Sequence, residues 1–143
     1  MTVKAILSRK GNEVLTIEPT ATLGAAVKML AQRRIGALGV TGPGRRIAGI
    51  ISERDIVRAL DEKGTAVLDA PVAEVMTRKV VTCAQSETIA EIMERMTAGK
   101  FRHVPVVEQS TMVGIISIGD VVKARLGELE REQDALRDYI RTA

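Results

Sequence analysis

Two short stretches of the sequence combine a serine and an aspartate at a fixed spacing that could bind a ligand. They are GIISERD at residues 49–55 and GIISIGD at residues 114–120, 65 positions apart (114 minus 49). In each, an apolar run leads into Ser-x-x-Asp, which is typical of a strand that enters a helix capped by the serine. Such a junction presents helix N–H groups, a hydroxyl and a carboxylate. Helix N-termini favour anionic oxygens, serine can donate to phosphate, and a carboxylate can accept hydrogen bonds from ribose hydroxyls.

Two interpretations of this duplicated heptapeptide stay open. One is a pair of nucleoside phosphate sites, and the other is a pair of helix caps that need no ligand. The copies also differ in charge. Arg102 and His103 correspond to Gly36 and Ala37 in the first copy, and Arg54 in the first heptapeptide is replaced by a glycine in the second. Since charge to hold a phosphate is unevenly distributed, we expect one tight site and one weak or empty site.

Metal and thiol chemistry have little support in the sequence. His103 is the only histidine and Cys83 the only cysteine, so neither can build a metal site from such residues alone, and we predict none. A lone cysteine at the end of an apolar run is more often a small buried residue than a nucleophile, and we predict no catalysis. A redox protein that uses Cys83 remains an alternative function.

The composition favours a compact domain with an aliphatic core. The 143 residues are 45% hydrophobic but only 1% aromatic, and the net charge is +3. The basic residues come in scattered pairs and aromatic residues for base stacking are nearly absent, so we expect no nucleic-acid partner. No apolar run approaches the ~18 residues of a membrane span, and the first ten residues do not resemble a secretion signal. We therefore expect a cytoplasmic protein that does not enter a membrane.

The hydrophobic pattern repeats as strand, helix, strand, strand, helix. In the first copy it predicts a strand at 13–17, a helix from Thr22, hairpin strands at 37–41 and 46–51, and a helix from Ser52. In the second copy it predicts a strand at 80–82, a helix from 88 to about 98, a hairpin over 103–117 and a helix from 118. Residues 63–70 form the expected connector, and Pro71 is expected in the first turn of a short helix that reaches Met76. The copies should pack about a pseudo-twofold axis, since each alone has a small core.

The order of these motifs resembles the CBS domain family, named for cystathionine β-synthase. VAEVMT at 72–77 looks like the usual opening of a repeat, FRHVPVV at 101–107 looks like the middle strand, and both copies end in GIIS-x-x-D. The resemblance covers Val3 to about Leu126 and is strongest to the tandem pair, or Bateman module. It is especially similar to short stand-alone bacterial pairs related to IMP dehydrogenase, although no dehydrogenase barrel is present. The resemblance implies an α/β (α+β) fold with repeats at 1–62 and 71–126, a connector at 63–70 and a helical extension at 127–143.

What the resemblance implies about function is a non-catalytic regulatory module. Family members bind adenine compounds between the repeats, so AMP, ADP or ATP is the expected ligand, with NAD or S-adenosylmethionine as further candidates. By the motif match, Asp55 and Asp120 would hold ribose hydroxyls, with Ser52 and Ser117 near ribose or phosphate. Arg54 and Arg102 would add phosphate charge, and the adenine would be framed by the following residues: Thr16, Thr82, and the backbone around Ala37, His103, Val104 and Pro105.

The C-terminal residues are expected to form a helix that outgrows the second repeat. Leu126, Leu129, Leu136 and Ile140 are spaced close to a heptad seam. This seam either folds back on its own repeats or contacts a second subunit, and because CBS pairs commonly assemble as dimers we predict a homodimer. A regulator also implies a regulated protein on another chain, whose identity the residues do not give. A ligand-free structural scaffold is the remaining alternative.

Overall fold

The computed structural model describes residues 1–11 and 13–142, which form two small sheets covered by helices. The helices are α1 (Val3–Lys10), α2 (Leu23–Arg33), α3 (Glu53–Lys63), α4 (Val72–Val75), α5 (Ile89–Gly99) and α6 (Ile118–Thr142). The strands are β1 (Thr16–Ile17), β2 (Ala37–Thr41), β3 (Ile47–Ser52), β4 (His103–Glu108) and β5 (Thr111–Ser117). None of the described helices has the length and apolar character needed to cross a membrane.

The predicted α/β fold of two like repeats is confirmed. In the first sheet β1 pairs parallel to β2 and β2 pairs antiparallel to β3, while β4 and β5 form an antiparallel hairpin in the second. Both central helices start at a threonine whose hydroxyl accepts a backbone N–H, Thr22 from Ala25 and Thr88 from Glu91. These caps lie 66 positions apart (88 minus 22), and both helices end in a left-handed residue, Arg34 and Lys100. The repeat therefore holds residue by residue over the helices.

The two predicted outer strands are shorter than expected. Residues 13–17 form a strand only at Thr16–Ile17, and residues 80–82 form none, since a single parallel bridge joins Cys83 to Val106. Cys83 N donates to Pro105 O, and Val107 N donates to Cys83 O. Extending this ladder towards Val81 would need a donor at residue 105, and proline has no N–H. Pro105 therefore stops the strand that the apolar pattern predicts.

The segments that open the two repeats also differ from the prediction. The sequence pattern gave no helix before residue 13, yet α1 spans eight residues and buries Val3 and Ile6. Pro71 stands at the N-cap of α4 rather than inside its first turn, and the helix ends at Val75. The connector at 63–70 contains a 3-10 turn, Thr65–Asp69, that buries Val67.

Each opening helix packs on the core of the opposite repeat. Val72 and Met76 join the first core with Leu23, Leu38 and Ile51. In the second core, α1 contributes apolar side chains that pack with those of α5, β4 and β5; the members include Val3, Ile6, Ile89, Val104 and Ile116. Matched backbone bonds fix both contacts, from Val3 N to Glu87 O (2.9 Å) and from Val72 N to Ala21 O (2.8 Å). The two repeats are thus joined by a reciprocal exchange of their first helices.

The glycine that begins each heptapeptide makes this exchange possible. A Cβ at Gly49 would lie 2.7 Å from Thr77 O, just after α4. A Cβ at Gly114 would lie 2.6 Å from Leu7 Cδ2, in α1. Because real Cβ atoms do not approach neighbours this closely, a larger residue at either position would displace the exchanged segment or a side chain in it.

Candidate functional site

Both Ser-x-x-Asp motifs form the capping arrangement that the sequence predicts. Strand β3 runs directly into α3, where Ser52 Oγ accepts from Asp55 N (3.3 Å) and Asp55 Oδ2 accepts from Ser52 N (3.0 Å). At the second copy, Ser117 Oγ accepts from Asp120 N (3.2 Å) and Asp120 Oδ2 accepts from Ser117 N (2.9 Å). The motif is therefore a helix cap in both repeats.

The third partner of each aspartate differs. Asp55 Oδ1 accepts from Thr77 Oγ1 (3.1 Å), a hydroxyl of the segment that follows α4. Asp120 Oδ2 instead accepts from Lys10 Nζ (2.7 Å), and the same ammonium donates to Ile115 O (3.0 Å). The pKa of Asp120 is lowered: burial acts to raise it, but the hydrogen bonds from Lys10 and Ser117 outweigh burial. One carboxylate therefore carries a neutral partner and the other a cation.

A cleft of about 400 Å³ opens at the first heptapeptide, between the two repeats. The start of α3 supplies one wall, and residues 77–81 together with 99–103 supply the other. Five basic side chains line it: Arg54, Arg58, Lys79, Arg102 and His103. The acidic side chains in its lining are Glu53 and Asp55, and its apolar side chains are Ile50, Val80, Val81 and Phe101. The volume lies in the usual range of small-molecule sites, and the charge suits an anionic ligand with an apolar part.

Local structure explains why these charges face one space. Arg54 and Arg58 are four positions apart on α3, so they lie on the same face of the helix. Arg54 also reaches the second repeat, where its guanidinium donates to Lys100 O (3.4 Å). The cleft is therefore built by both repeats, with a direct polar contact across it.

His103 is the first residue of β4 and its ring packs against the first repeat. A Cβ at Gly36 would lie 3.1 Å from the imidazole Cε1 and Nε2, so glycine there leaves space for the ring. Burial is the largest cause that lowers the pKa of His103, with Glu53 raising it and Lys10 lowering it. Asp120 raises that pKa as well. His103 also pairs with Ser117 in the ladder between β4 and β5 and lines the cleft with Ser52, so it lies between the two heptapeptides.

The structure brings together five of the residues proposed from the sequence, and these line the cleft: Ser52, Arg54, Asp55, Arg102 and His103. Seven others lie outside its lining: Thr16, Ala37, Thr82, Val104, Pro105, Ser117 and Asp120. Of these, Ala37, Val104 and Pro105 are buried in strands, so their side chains pack inside the repeats. A role of these seven in ligand binding stays a prediction.

The sequence-based prediction missed four polar residues of the cleft: Glu53, Arg58, Thr77 and Lys79. Arg58 follows Arg54 at helical spacing and Thr77 belongs to the VAEVMT motif, so both carried a usable signal. Lys79 belongs to one of the scattered basic pairs of the sequence, and only the fold shows that it faces α3 across the cleft.

Cys83 has the environment of a structural cysteine. Its side chain is buried in the second core with Ile89 and Val106. The pKa of the thiol is raised to about 12, first by burial and then by the nearby charge of Glu87. Because the thiolate is the reactive form, this environment disfavours the redox alternative. Among the described residues no group of three or more His, Cys, Asp or Glu side chains could hold a metal ion.

Comparison with known proteins gives matches over nearly the whole chain. The family model for the CBS domain matches residues 3–62 and 72–127. The mitochondrial CBS domain-containing protein CBSX3 of Arabidopsis thaliana is 34% identical over 147 residues, covering 97% of this chain and 71% of the relative. The crystal structure of the CBS-domain containing protein ATU1752 from Agrobacterium tumefaciens superimposes with a TM-score of 0.83 at 46% identity, covering 87% of this chain and 99% of that one. The CBS domain pair of protein MJ0100, solved in complex with 5′-methylthioadenosine and S-adenosyl-L-methionine, superimposes with a TM-score of 0.80 at 26% identity, over 90% and 98% of the two chains.

Proposed function

This chain belongs to the CBS domain family as a tandem pair, and from that premise we propose that it is a non-catalytic sensor of adenine nucleotides. The ligand binds in the cleft at the first heptapeptide. Binding changes the packing of the two repeats and so the surface that the protein presents to a regulated partner on another chain. A cytoplasmic location and a homodimer are parts of this proposal.

The observation that carries the proposal is the charge around Asp55. Arg54, Arg58, Lys79 and Arg102 are fixed cations in one cleft, and Glu53 and Asp55 are the acidic groups beside them. Four positive and two negative charges leave a formal excess of two positive charges with His103 neutral. Such a cleft favours the phosphates of AMP, ADP, ATP or NAD over the cationic sulfonium of S-adenosylmethionine.

The groups in the cleft also divide by the part of a nucleotide that each would bind. Asp55 can accept hydrogen bonds from the ribose hydroxyls, because its carboxylate is held by Ser52 and Thr77. The phosphates bind to the cationic side chains Arg54, Arg58, Lys79 and Arg102, and the N-terminus of α3 adds to their attraction. The apolar faces of Val80, Val81 and Phe101 are suited to the adenine ring.

A ligand held in this way would couple the two repeats. Arg54 and Asp55 belong to the first repeat, and Lys79, Arg102 and His103 belong to the second. The free energy for any change in packing is the difference in ligand affinity between the two arrangements. A nucleotide that binds to both walls therefore favours the arrangement in which the two walls lie closer together.

Calorimetric titration with AMP, ADP, ATP, NAD and S-adenosylmethionine tests the proposal. We expect saturable binding of at least one phosphate-bearing compound, weaker binding after Arg102→Ala, and loss of binding after Asp55→Asn. Arg137→Ala, an exposed arginine on α6, removes the same charge outside the cleft and should leave affinity unchanged. No binding of any compound, or equal affinity of wild type and Asp55→Asn, would show that the proposal is wrong.

A structural scaffold is the second candidate, and the two complete helix caps favour it, since all their bonds join residues of the chain itself. In that case Asp55→Ala, which removes the oxygen that accepts from Ser52 N, would lower the free energy of unfolding by ~1 kcal/mol, while no nucleotide binds the wild type or this variant. Urea unfolding of both proteins beside the titration separates the two functions.

A further inference from the structure

The Lys10 ammonium is bonded to Asp120, the carboxylate that corresponds to Asp55 in the open cleft. Its Nζ is 2.7 Å from Asp120 Oδ2 and 3.0 Å from Ile115 O, so it forms two bonds inside the second heptapeptide. Lys10 is separated from Asp120 by 110 positions, and α1 carries it there because the opening helices are exchanged between repeats. A second cavity of about 340 Å³ includes Lys4 and Ser8 of α1, but neither Ser117 nor Asp120 lines it.

The matching residue of the other repeat is placed differently. Val3 and Val72 make the same backbone bond to the opposite repeat, so Lys10 corresponds to Lys79, seven positions after Val72. Lys79 lines the open cleft at the first heptapeptide, where Asp55 is bonded to the Thr77 hydroxyl instead. The two corresponding lysines therefore differ: Lys79 faces an open cleft, whereas Lys10 is bonded to Asp120.

The end of the central helix also differs between the repeats. Gly99 lines the open cleft at the end of α5, and its counterpart at the end of α2 is Arg33. The Arg33 guanidinium is 3.1 Å from Glu13, whereas glycine at 99 has no side chain to place there. The first repeat thus has a paired arginine at the position where the second repeat has the small Gly99 that lines the cleft.

We propose that Lys10 is an intramolecular occupant of Asp120, which masks a second, latent site for a ribose-bearing ligand. The inference rests on the proposed function of the first cleft for the class of ligand. It makes the two heptapeptides unequal: Asp55 is available to a ligand, and Asp120 becomes available only when the Lys10 ammonium leaves. The folded chain therefore binds one nucleotide, and removing the ammonium gives it a second site.

The stoichiometry of AMP binding tests this inference. AMP offers ribose hydroxyls to either aspartate with the fewest phosphates. We expect one equivalent per chain for the wild type and two for Lys10→Met, which keeps the aliphatic stem without the charge. Lys4→Met, an equal charge change on the same helix, should bind one equivalent, and Lys10→Met with Asp120→Ala should return to one.

A ligand-free measurement shows whether Lys10 lies at Asp120. The 2.7 Å bond from Lys10 lowers the pKa of Asp120. Titration of the Asp120 carboxyl carbon by NMR should show a higher Asp120 pKa in Lys10→Met than in wild type, and no change in Lys4→Met. Equal values in Lys10→Met and wild type would overturn the inference, because Lys10 would then not be bonded to Asp120.

The two proposals fail in different ways. Absence of AMP binding to the wild type with one equivalent gained in Lys10→Met would contradict the role of the first cleft and support the masked site. One equivalent in both proteins would support the first cleft and overturn the masked site. Two equivalents in the wild type would overturn it as well.

Discussion

At the scale of single residues, the molecule shows that two copies of one motif can give their carboxylates different bonding partners. Each aspartate accepts a hydrogen bond from the backbone N–H of the serine three positions before it, at 3.0 Å for Asp55 and 2.9 Å for Asp120. The difference is one further partner, a threonine hydroxyl or a lysine ammonium. Since a ligand must compete with that partner, an ammonium bound to a carboxylate opposes binding more than a hydroxyl does.

His103 gives a prediction about stability at this scale. Burial lowers its pKa in the folded protein below the ordinary value of 6.5, so the unfolded chain binds the proton more readily. The contribution of His103 to the free energy of unfolding is complete above the unfolded pKa and is lost as the pH falls from there through the lower folded pKa. Urea unfolding at about pH 7.5 and about pH 5.5 should show a smaller loss of stability for His103→Asn than for wild type. Equal losses would mean that the imidazole is not held in its neutral form.

Site residues differ in how far the sequence could predict them. Ser52, Asp55, Arg102 and His103 were predictable because they lie inside or beside motifs that repeat along the chain. Lys10 was not, since its bond to Asp120 spans 110 positions and depends on which repeat its helix covers. A local pattern identifies a cap, but it does not indicate which distant side chain completes it.

At the scale of elements, the sequence predicts the hairpins and central helices well, because their signals are local. Thr22 and Thr88 cap helices at the expected positions, and β2 has its predicted bounds. The outer strands were over-predicted, since Val80 and Val81 have the composition of a strand while Pro105 on the neighbouring strand lacks the donor for pairing. Helix α1 escaped prediction because its buried face is only Val3 and Ile6 among polar residues.

The glycines of the heptapeptides give a matched pair of predictions for elements. At Gly49 an added Cβ meets Thr77 O, which accepts from Ile50 N (3.0 Å), and Thr77 N donates in turn to Ile50 O (2.9 Å), so this backbone is fixed. At Gly114 it meets the end of the Leu7 side chain, which can move aside. Gly49→Ala should therefore lower the free energy of unfolding by ~1–3 kcal/mol, the usual cost of overpacking, and Gly114→Ala by less. Urea unfolding of both variants checks this. Equal losses would show that Leu7 does not move aside, and no loss in either variant would contradict the exchange as the reason for the glycines.

At the scale of the whole molecule, α6 extends beyond the repeats. Residues 129–142 are exposed along its length, so the alternative in which this helix folds back on its own repeats is wrong. Leu126, Leu129, Leu136 and Ile140 are exposed at the spacing of a short heptad seam. An exposed apolar seam of this kind is what a helix pairing with a second copy would present.

Assembly through this seam is a prediction that light scattering can check. Leu129→Glu or Leu136→Glu should lower the mass of the particle from that of a dimer towards that of one chain, because a carboxylate would be buried between two helices. Arg131→Glu places an acidic residue on the opposite face of α6 and serves as the control. Unchanged mass in both leucine variants would show that the chains do not associate through α6.

The exchange of opening helices also orders events during synthesis on the ribosome. Val3 bonds to Glu87, so 84 residues (87 minus 3) are translated before α1 meets its partner. At ~5–20 residues per second this interval is roughly 4 to 17 s, during which α1 has no core to cover. The first repeat must likewise wait for Val72 to emerge before its own core is complete. We expect the nascent chain to reach its final form in a single late step, and chaperones that hold unfolded segments would therefore meet this protein through its first helix.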